Sequence, residues 1–325
     1  MLALAVCAGF LAGPAAAEEI VVSNYGTATN GMPFAVAMEK GFFKEFNVNV
    51  DGILSSDGGG STIRNLLGGK LAYGEANLSS VILAIESGAD LRIISGNVHT
   101  VAEFVWVAMP NSSVKTFKDI KGKRVGFTNP ASTSQALNNL LLEANGMSKD
   151  DVVMTRTGGF GAGLTVLELG GVDMVPIVEP MWSSAPPGKY KLIATASDML
   201  PPLSNVVGVT TGEAARTRGD FIRGIIKARR KAVEYMYSNP RESAVIIAKA
   251  YNLDPAVSER VVRGLLGSEK ASKVPYWGAG DFRIDTMKNM IRAQFLVGAL
   301  KSEVDFSKVI DESFLPNDLK AIKSK

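Results

Sequence analysis

Hydrophobic and polar positions along the first two thirds of the chain follow two alternating patterns. Short apolar runs have the length and residue types of strands, and the segments between them place apolar residues at helical spacing. The predicted strands are residues 20–23, 48–51, 71–76 and 91–95, and the predicted helices are residues 32–40, 61–67 and 79–86. This alternation predicts βα units and a largely parallel sheet.

The same alternation recurs in a second stretch. There the predicted strands are residues 124–128, 151–155, 173–178 and 191–194, and the predicted helices are 134–144 and 163–169. The amino-acid sequence repeats as well, since residues 67–77 match residues 169–179. This match pairs Asn77 with Glu179, and the same offset pairs Asn30 with Ser132. The repeat indicates two copies of one α/β lobe, with chance similarity between two βα units as the alternative.

After residue 219 the pattern becomes helical. The amphipathic segments are residues 221–237, 241–251, 256–266 and 282–300. Pro240 and Pro255 occupy the first helical position of two of them, where proline is favoured. We expect this tail to contain no strands and to cover the outer face of one lobe.

The first residues differ from all the others. They are apolar or small and uncharged as far as Ala12, and Ala15, Ala16 and Ala17 precede Glu18. This pattern predicts a secretory signal peptide at residues 1–17, cleaved after Ala17, although no Lys or Arg lies near Met1. The only cysteine, Cys7, lies in this segment, so we expect the exported chain to have neither a disulfide nor thiol chemistry.

Composition narrows the possible functions. The chain has 325 residues, 46% of them hydrophobic, and a net charge of +3 with no basic block of the kind that binds nucleic acid. His99 is the only histidine, and no zinc cluster, Ser-His triad, P-loop or dinucleotide fingerprint can be found. We expect no cofactor, no metal and no catalysis, with His99 as a structural or hinge residue. Asp57 and Glu179 leave carboxylate acid–base chemistry open.

The candidate binding residues lie in the strand-to-helix turns, because open parallel sheets bind ligands beyond the carboxyl ends of their strands. They are Thr29, Asn30, Met32, Asp57, Gly59, Asn77, Ser79, Ser132, Thr133, Phe160, Gly161, Glu179, Trp182 and, in a tail loop, Trp277. Helix N-termini favour an anionic group, and the aromatic residues suit a ring. Helix capping and core packing are the plainer alternatives for many of them.

The charge of the ligand is less well determined. No arginine lies in the expected turns, which argues against a strongly charged anion held by an arginine fork. Glu179 is an acceptor that would suit a ligand with N–H groups, such as a pyrimidine. Sulfonates, carboxylates and aromatic or pyrimidine compounds therefore all remain open.

Five stretches resemble one family. Residues 32–44 (MPFAVAMEKGFFK), 67–74 (LGGKLAYG) and 117–126 (FKDIKGKRVG) occur in this order, followed by GVDM at 171–174 and VEP at 178–180. Their sequence and spacing resemble ABC-transporter substrate-binding proteins of the SsuA/THI5-like, or NMT1-like, branch. That branch handles nitrate, sulfonates, taurine and thiamine-pyrimidine precursors.

The resemblance implies an α/β periplasmic-binding-protein fold of type II. Two doubly wound lobes would be joined by a hinge, with a helical C-terminal extension on the first lobe. Lobe 1 would comprise residues 18–105 plus 207–325, and lobe 2 residues 106–206. The protein would be a periplasmic monomer that closes over a small molecule and delivers it to an ABC permease and its ATPase. The rivals are an enzyme on the same fold, such as a pyrimidine synthase or a menaquinone-pathway enzyme, and a partner of a membrane sensor.

Overall fold

The computed structural model describes residues 18–320, so the predicted signal peptide and Cys7 lie outside the described residues. The strands are β1 Glu18–Ser23, β2 Val50–Ser56, β3 Gly74–Asn77, β4 Leu91–Val98, β5 Phe104–Ala108, β6 Arg124–Phe127, β7 Val153–Arg156, β8 Val175–Val178, β9 Lys191–Thr195, β10 Val206–Thr211 and β11 Trp277–Gly280. Strands and helices alternate from β1 to β4 and again from β6 to β9, as the pattern of the sequence predicts.

The helices connect the strands and then form the tail. They are α1 Met32–Glu39, α2 Phe42–Glu45, α3 Gly59–Leu67, α4 Leu78–Glu86, α5 Thr133–Ala144, α6 Phe160–Glu168, α7 Met181–Ser184, α8 Ala196–Met199, α9 Gly212–Thr217, α10 Gly219–Ser238, α11 Pro240–Tyr251, α12 Pro255–Gly267, α13 Glu269–Ser272, α14 Ile284–Leu296 and α15 Phe306–Val309. Short 3-10 turns lie at Thr29–Gly31, Phe117–Ile120, Lys149–Asp151, Glu312–Phe314 and Asn317–Leu319. Over residues 18–320, no helix combines the length and apolarity that crossing a bilayer requires.

The strands form two sheets of matching order. The first runs β11-β4-β10-β3-β1-β2, in which β1 is parallel to β2 and β3 while β10 is antiparallel to both its neighbours. In the second, β5 lies between β8 and β9, and the parallel pair β6-β7 adjoins β8 through a bridge between Val125 and Met174. Apart from the edge strand β11, which pairs antiparallel with β4, each sheet thus consists of parallel βα strands with one antiparallel strand inserted, which is a doubly wound α/β architecture.

The chain passes between the two sheets twice. Residues 99–103 join β4 of the first sheet to β5 of the second, and residues 200–205 return the chain to β10 of the first. Each inserted antiparallel strand therefore begins directly after a crossing. The two crossings lie side by side, because Asn205 N donates to Val98 O at 2.9 Å. Two adjacent short connections of this kind are the usual construction of a hinge.

The tail is not entirely helical, and the expectation that it lacks strands is wrong. β11 pairs antiparallel with the edge strand β4, matching Trp277 with Val98, and Ile310 forms a parallel bridge to Ile93. The edge of β4 would otherwise expose unpaired backbone groups, which explains why the tail returns to it. The segment Trp-Gly-Ala-Gly shows no alternation, so its strand could not be recognised from the sequence. In addition, α14 packs against both α4 and α5.

A buried ion pair fixes the tail to the first sheet. Arg229 of α10 donates from Nε to Glu75 Oε2 of β3 at 3.0 Å, and both side chains are at most 2% exposed. Its other nitrogens donate to the backbone carbonyls of Gly278 and Asn97 at 2.8 Å. Asn30 Nδ2 donates to Glu75 Oε1 at 3.2 Å, which connects this pair to the loop that follows β1.

Candidate functional site

A cleft of about 750 Å³ lies between the two lobes, at the carboxyl ends of the parallel strands. Its first wall consists of the turns after β1, β2 and β3, and its second wall of the turns after β6 and β7 with Val178 at the end of β8. The two crossings close one side with Glu103 and Asn205. The cleft volume is in the range of sites that enclose small organic molecules.

Four helices of the described region begin at this cleft. Residues at or before the first turns of α3, α4, α5 and α6 line it, including Gly58, Asn77, Ser132 and Gly159. Of these four, only α5 has a side-chain cap, the Ser132 hydroxyl, which accepts from Gln135 N at 3.2 Å; the N-cap residues of α3 and α6 are glycines. The first-turn amides of α3, α4 and α6 have no such cap, and together they make the cleft favourable for an anion.

Two arginines add positive charge to the cleft. Arg64 lies in the second turn of α3, and Arg156 is the last residue of β7. Arg156 is oriented by Asn129, whose Oδ1 accepts from its Nε and Nη2 at 3.1 and 2.9 Å. The argument against an arginine fork, which was made from the expected turns alone, therefore does not hold for the whole cleft. It considered only turn residues, whereas a long side chain on an adjacent helix or strand reaches the same space.

Two hydrogen bonds cross the cleft to a single acceptor. Asn77 Nδ2 and Ser80 Oγ, both from the first lobe, donate to the carbonyl of Ala131 in the second lobe at 3.1 Å. Ala131 has a left-handed backbone conformation with φ of 60°, which is uncommon for a residue other than glycine. On the outer side, Arg260 Nη2 of α12 donates to Ser183 O at 3.2 Å. The described conformation thus has its lobes in contact.

Half of the predicted binding residues come together in the cleft. Those that line it are Asn30, Asp57, Gly59, Asn77, Ser132, Thr133 and Phe160. The Phe160 ring stands edge-on to Phe104 with centroids 5.9 Å apart, and the two rings give the cleft an apolar part. This set comes from both lobes, as two facing copies of one βα arrangement require.

The remaining predicted residues lie elsewhere. Met32, Ser79 and Trp277 are at most 1% exposed in the core of the first lobe, and Trp277 Nε1 donates to Thr29 O at 3.0 Å. The Thr29 hydroxyl is bonded to Tyr276 at 2.6 Å. Gly161 is exposed outside the cleft lining, and Trp182 packs on the apolar core of the second lobe.

Glu179 is engaged locally. Its carboxylate accepts from the backbone N and the Oγ of Ser183 at 3.0 and 2.9 Å. Burial raises the pKa of the Glu179 carboxyl, and the Ser183 bonds oppose that rise. It does not line the cleft, although the repeat pairs it with Asn77, which does. The two copies therefore differ at this position.

His99 lies in the first crossing and is completely buried. Its Nε2 is 3.2 Å from Asp281 Oδ1. Burial lowers the pKa of His99, while the Asp281 carboxylate raises it. His99 is not among the residues that line the cleft.

Sequence reasoning missed Glu103 and Asn205, the two cleft residues of the crossings. A signal for Glu103 existed, because it is the only charged residue in the apolar run 101–108. Such a residue is expected to be paired or functional when the run is buried.

A substitution at Gly59 tests how tightly the first wall of the cleft is packed. A Cβ on this residue would lie 2.0 Å from Asn77 Oδ1 and 2.9 Å from Ser80 Oγ. Gly59→Ala is therefore expected to displace both donors from Ala131, to destabilise the fold by about 1–3 kcal/mol and to weaken ligand binding. Calorimetry and denaturant unfolding measure these effects.

Gly264 provides the matched control, because a Cβ there meets nothing within 4 Å. Gly264→Ala on α12 should retain binding and gain up to about 1 kcal/mol of helix stability. Equal stability and binding in both alanine variants would contradict the tight packing assigned to Gly59.

Comparison with solved structures identifies the fold. The alkanesulfonate-binding protein SsuA from Xanthomonas axonopodis pv. citri, bound to MOPS, has a TM-score of 0.76 and 18% identity, covering 92% of this chain and 99% of that one. The periplasmic aliphatic sulphonate-binding protein SsuA from Escherichia coli has a TM-score of 0.72 and 19% identity over 90% and 91%. The periplasmic nitrate-binding protein NrtA from Synechocystis PCC 6803 has a TM-score of 0.70 and 13% identity over 92% and 86%.

These TM-scores establish the fold: the chain has the periplasmic-binding-protein fold, as the sequence motifs indicate. Residues 28–243 also match the family model described as NMT1/THI5 like. This is more than half of the chain, and the protein belongs to the NMT1/THI5-like family. No curated protein matches it.

Proposed function

We propose that this protein is the periplasmic solute-binding component of an ABC importer, which closes its lobes over a small organic anion and delivers it to a permease. The observation that carries the proposal is the convergence of helix N-termini and two arginines on one cleft. The cleft residues come from both lobes, so a ligand that touches both walls stabilises the closed arrangement.

The chemistry of the cleft favours a sulfonate or carboxylate with an apolar part. Backbone amides and the Arg64 and Arg156 guanidinium groups suit the anionic end. Phe104 and Phe160 suit an apolar or aromatic remainder. The structural relatives bind anions according to their names, which supports the same ligand class here. An enzyme on this fold remains the alternative, and no specific feature of the cleft favours it.

A thermal-shift screen tests the proposal. The chain from residue 18 onwards is screened against alkanesulfonates, arylsulfonates, carboxylates, nitrate, pyrimidines and amines. A true ligand at about 100 times its dissociation constant adds about 2.7 kcal/mol to the free energy of unfolding, which raises the melting temperature by several degrees. We expect the largest shifts from organic anions.

The same samples distinguish binding from catalysis. The stabilising compound is recovered after long incubation and compared with the starting compound by NMR. We expect it to be unchanged. Turnover would contradict the non-catalytic role, and stabilisation by pyrimidines or amines alone would contradict the anion class.

A further inference from the structure

The cleft has an unpaired arginine on each of its two walls. Arg64 belongs to the first lobe and Arg156 to the second, and both line the cleft. Within residues 18–320 neither guanidinium forms an ion pair with a carboxylate, whereas most other arginines of this region do. The positive charges of Arg64 and Arg156 are therefore available to a ligand.

Arg64 lies at the start of its own helix. A Cβ on Gly60 would be 3.7 Å from Arg64 Nη1, so the side chain runs back along α3 and its guanidinium lies beside the first turn. The N-cap residue of α3 is Gly58, and no side chain caps the first amides. The guanidinium, with these amides beside it, forms a first anion subsite on the first wall.

Arg156 is oriented on the second wall by a side chain of the neighbouring turn. Asn129 Oδ1 accepts from its Nε and Nη2 at 3.1 and 2.9 Å, which occupies one edge of the guanidinium. The other edge, which contains Nη1, is free to bind an oxyanion through a pair of its oxygens. Gly158 and Gly159 follow directly and lead into α6, whose first turn has no side-chain cap. These groups form a second anion subsite.

The two subsites occupy corresponding positions in the two lobes. The same Leu-Gly-Gly sequence lies at the end of α3, at residues 67–69, and at the end of α6, at residues 169–171. Each helix follows the edge strand that is farthest from the crossings in its sheet, β2 in the first and β7 in the second. The starts of α3 and α6 therefore line the cleft from opposite walls.

The subsites are anchored on either side of the contact between the lobes. On the first wall, a Cβ on Gly59 at the start of α3 would lie 2.0 Å from Asn77 Oδ1. Asn77 Nδ2 donates to the carbonyl of Ala131, which belongs to the same turn as Asn129 on the second wall. A ligand that occupies both subsites must therefore extend past this contact from one lobe to the other.

The acidic residues of the lining do not neutralise the arginines. They are Asp57 and Glu103. Glu103 is buried and accepts from Asn205 Nδ2 at 2.7 Å, and Asp57 is exposed and forms no ion pair within residues 18–320. Two arginines against one exposed carboxylate leave the accessible part of the lining with a net positive charge.

We propose that the ligand is a small organic dianion, such as a disulfonate, a dicarboxylate or a sulfocarboxylate, with one anionic group at each of the two arginines. This inference rests on the proposed function and narrows its ligand class. A dianion contacts both subsites only when the lobes are closed, so each of its anionic groups favours closure. The rival arrangement is a single anionic group that both arginines hold.

Matched pairs of ligands distinguish the two arrangements. Propanedisulfonate is compared with propanesulfonate, and succinate with butyrate, by calorimetry at low salt and about pH 7.5, where all of them are ionised. We expect the better dianion to bind about 10- to 100-fold more tightly than its monoanion, because the second anionic group gains charged hydrogen bonds. Hydroxypropanesulfonate, which adds a polar group without a charge, should bind like propanesulfonate. Ethanedisulfonate and butanedisulfonate vary the separation of the anionic groups.

Variants show whether the second charge is bound at these subsites. In Arg64→Ala and in Arg156→Ala the ratio of dianion to monoanion affinity should fall to about threefold or less, because one anionic group loses its partner. Arg263→Ala, which removes an exposed arginine paired with Glu259 on α12, should keep the wild-type ratio. Circular dichroism checks that each variant is folded.

Asn129→Ala tests the second subsite in a different way, because Asn129 is a positioning residue. Its side chain bonds to Arg156, so the variant should bind the dianion about three- to tenfold more weakly. Added to Arg156→Ala, it should cause no further loss, since the side chain that it positions is then absent. Additive losses would contradict this role.

The outcomes separate this inference from the proposed function. If no organic anion binds, both are wrong. If the monoanions bind as tightly as their matched dianions, the cleft holds a single anionic group and only the dianion class is wrong. If a dianion binds more tightly but both arginine variants keep the wild-type ratio, its second charge is bound elsewhere and the assignment of the two subsites is wrong.

Discussion

Replacing Arg229 with methionine is expected to lower the free energy of unfolding by about 3–5 kcal/mol, because it leaves the fully buried Glu75 without its countercharge. The carbonyls of Gly278 and Asn97 lose their guanidinium donors at the same time. Burial already raises the pKa of the Glu75 carboxyl, so in the variant it can take up a proton, which limits the loss. Denaturant unfolding followed by circular dichroism measures the change.

Two further variants give this prediction its controls. Arg230→Met removes the neighbouring, partly exposed arginine, which pairs with Glu234 and Asp318, and should cost no more than about 1 kcal/mol. Arg229→Met combined with Glu75→Gln should recover part of the loss, because it removes the buried charge left by the single variant. Equal denaturation midpoints for Arg229→Met and Arg230→Met would show that the buried pair does not fix the tail.

This ion pair also shows the limit of what the sequence could predict. The spacing of α10 predicts an amphipathic helix, but Arg229 reads there as one of several polar positions. Its partner Glu75 is 154 residues away in the sequence and lies in a short strand. Local patterns cannot place two such residues together, because the pairing depends on how the tail packs on the first sheet.

The βα strands were predictable where both faces of the sheet are covered. β4 is apolar and buried through most of its length, and residues 91–95 stand out in the sequence. The edge strand β2 is different: Leu54 and Ser55 are exposed, and the structure extends it to Ser56 where the pattern predicts an end at residue 51. Pairing with β1, rather than its own residues, determines its length.

The sequence predicted the position of the candidate site better than it predicted the residues that line it. The rule that ligands bind beyond the carboxyl ends of parallel strands leads to the turns that contain Asn77 and Ser132. It cannot tell which residue of a turn faces the cleft and which faces the core, and Ser79 and Thr29 face the core. Trp277 was misplaced for another reason: glycines on both sides of an aromatic residue resemble an exposed loop, whereas here they form a buried edge strand.

Removing the two cleft arginines should have the largest effect on ligand binding. Arg64→Ala and Arg156→Ala are each expected to weaken binding of the best anion by about 10- to 100-fold, since a hydrogen bond to a charged group contributes about 1.5–3 kcal/mol. Arg156→Lys should lose less, because it keeps the charge and loses only the planar fork that Asn129 orients. Calorimetry at neutral pH and low salt provides the dissociation constants.

Ionic strength and a control variant at another arginine test whether the loss of binding comes from the charge of the two cleft arginines. Arg263→Ala removes an exposed arginine that pairs with Glu259 on α12 and should bind the anion as the wild type does. Raising the ionic strength should weaken binding to the wild type more than to either cleft variant, because the variants have less charge to screen. Normal binding of the anion by Arg64→Ala and Arg156→Ala alike would mean that neither arginine holds it. The uncapped helix N-termini of the cleft would then be its only remaining anion-binding groups.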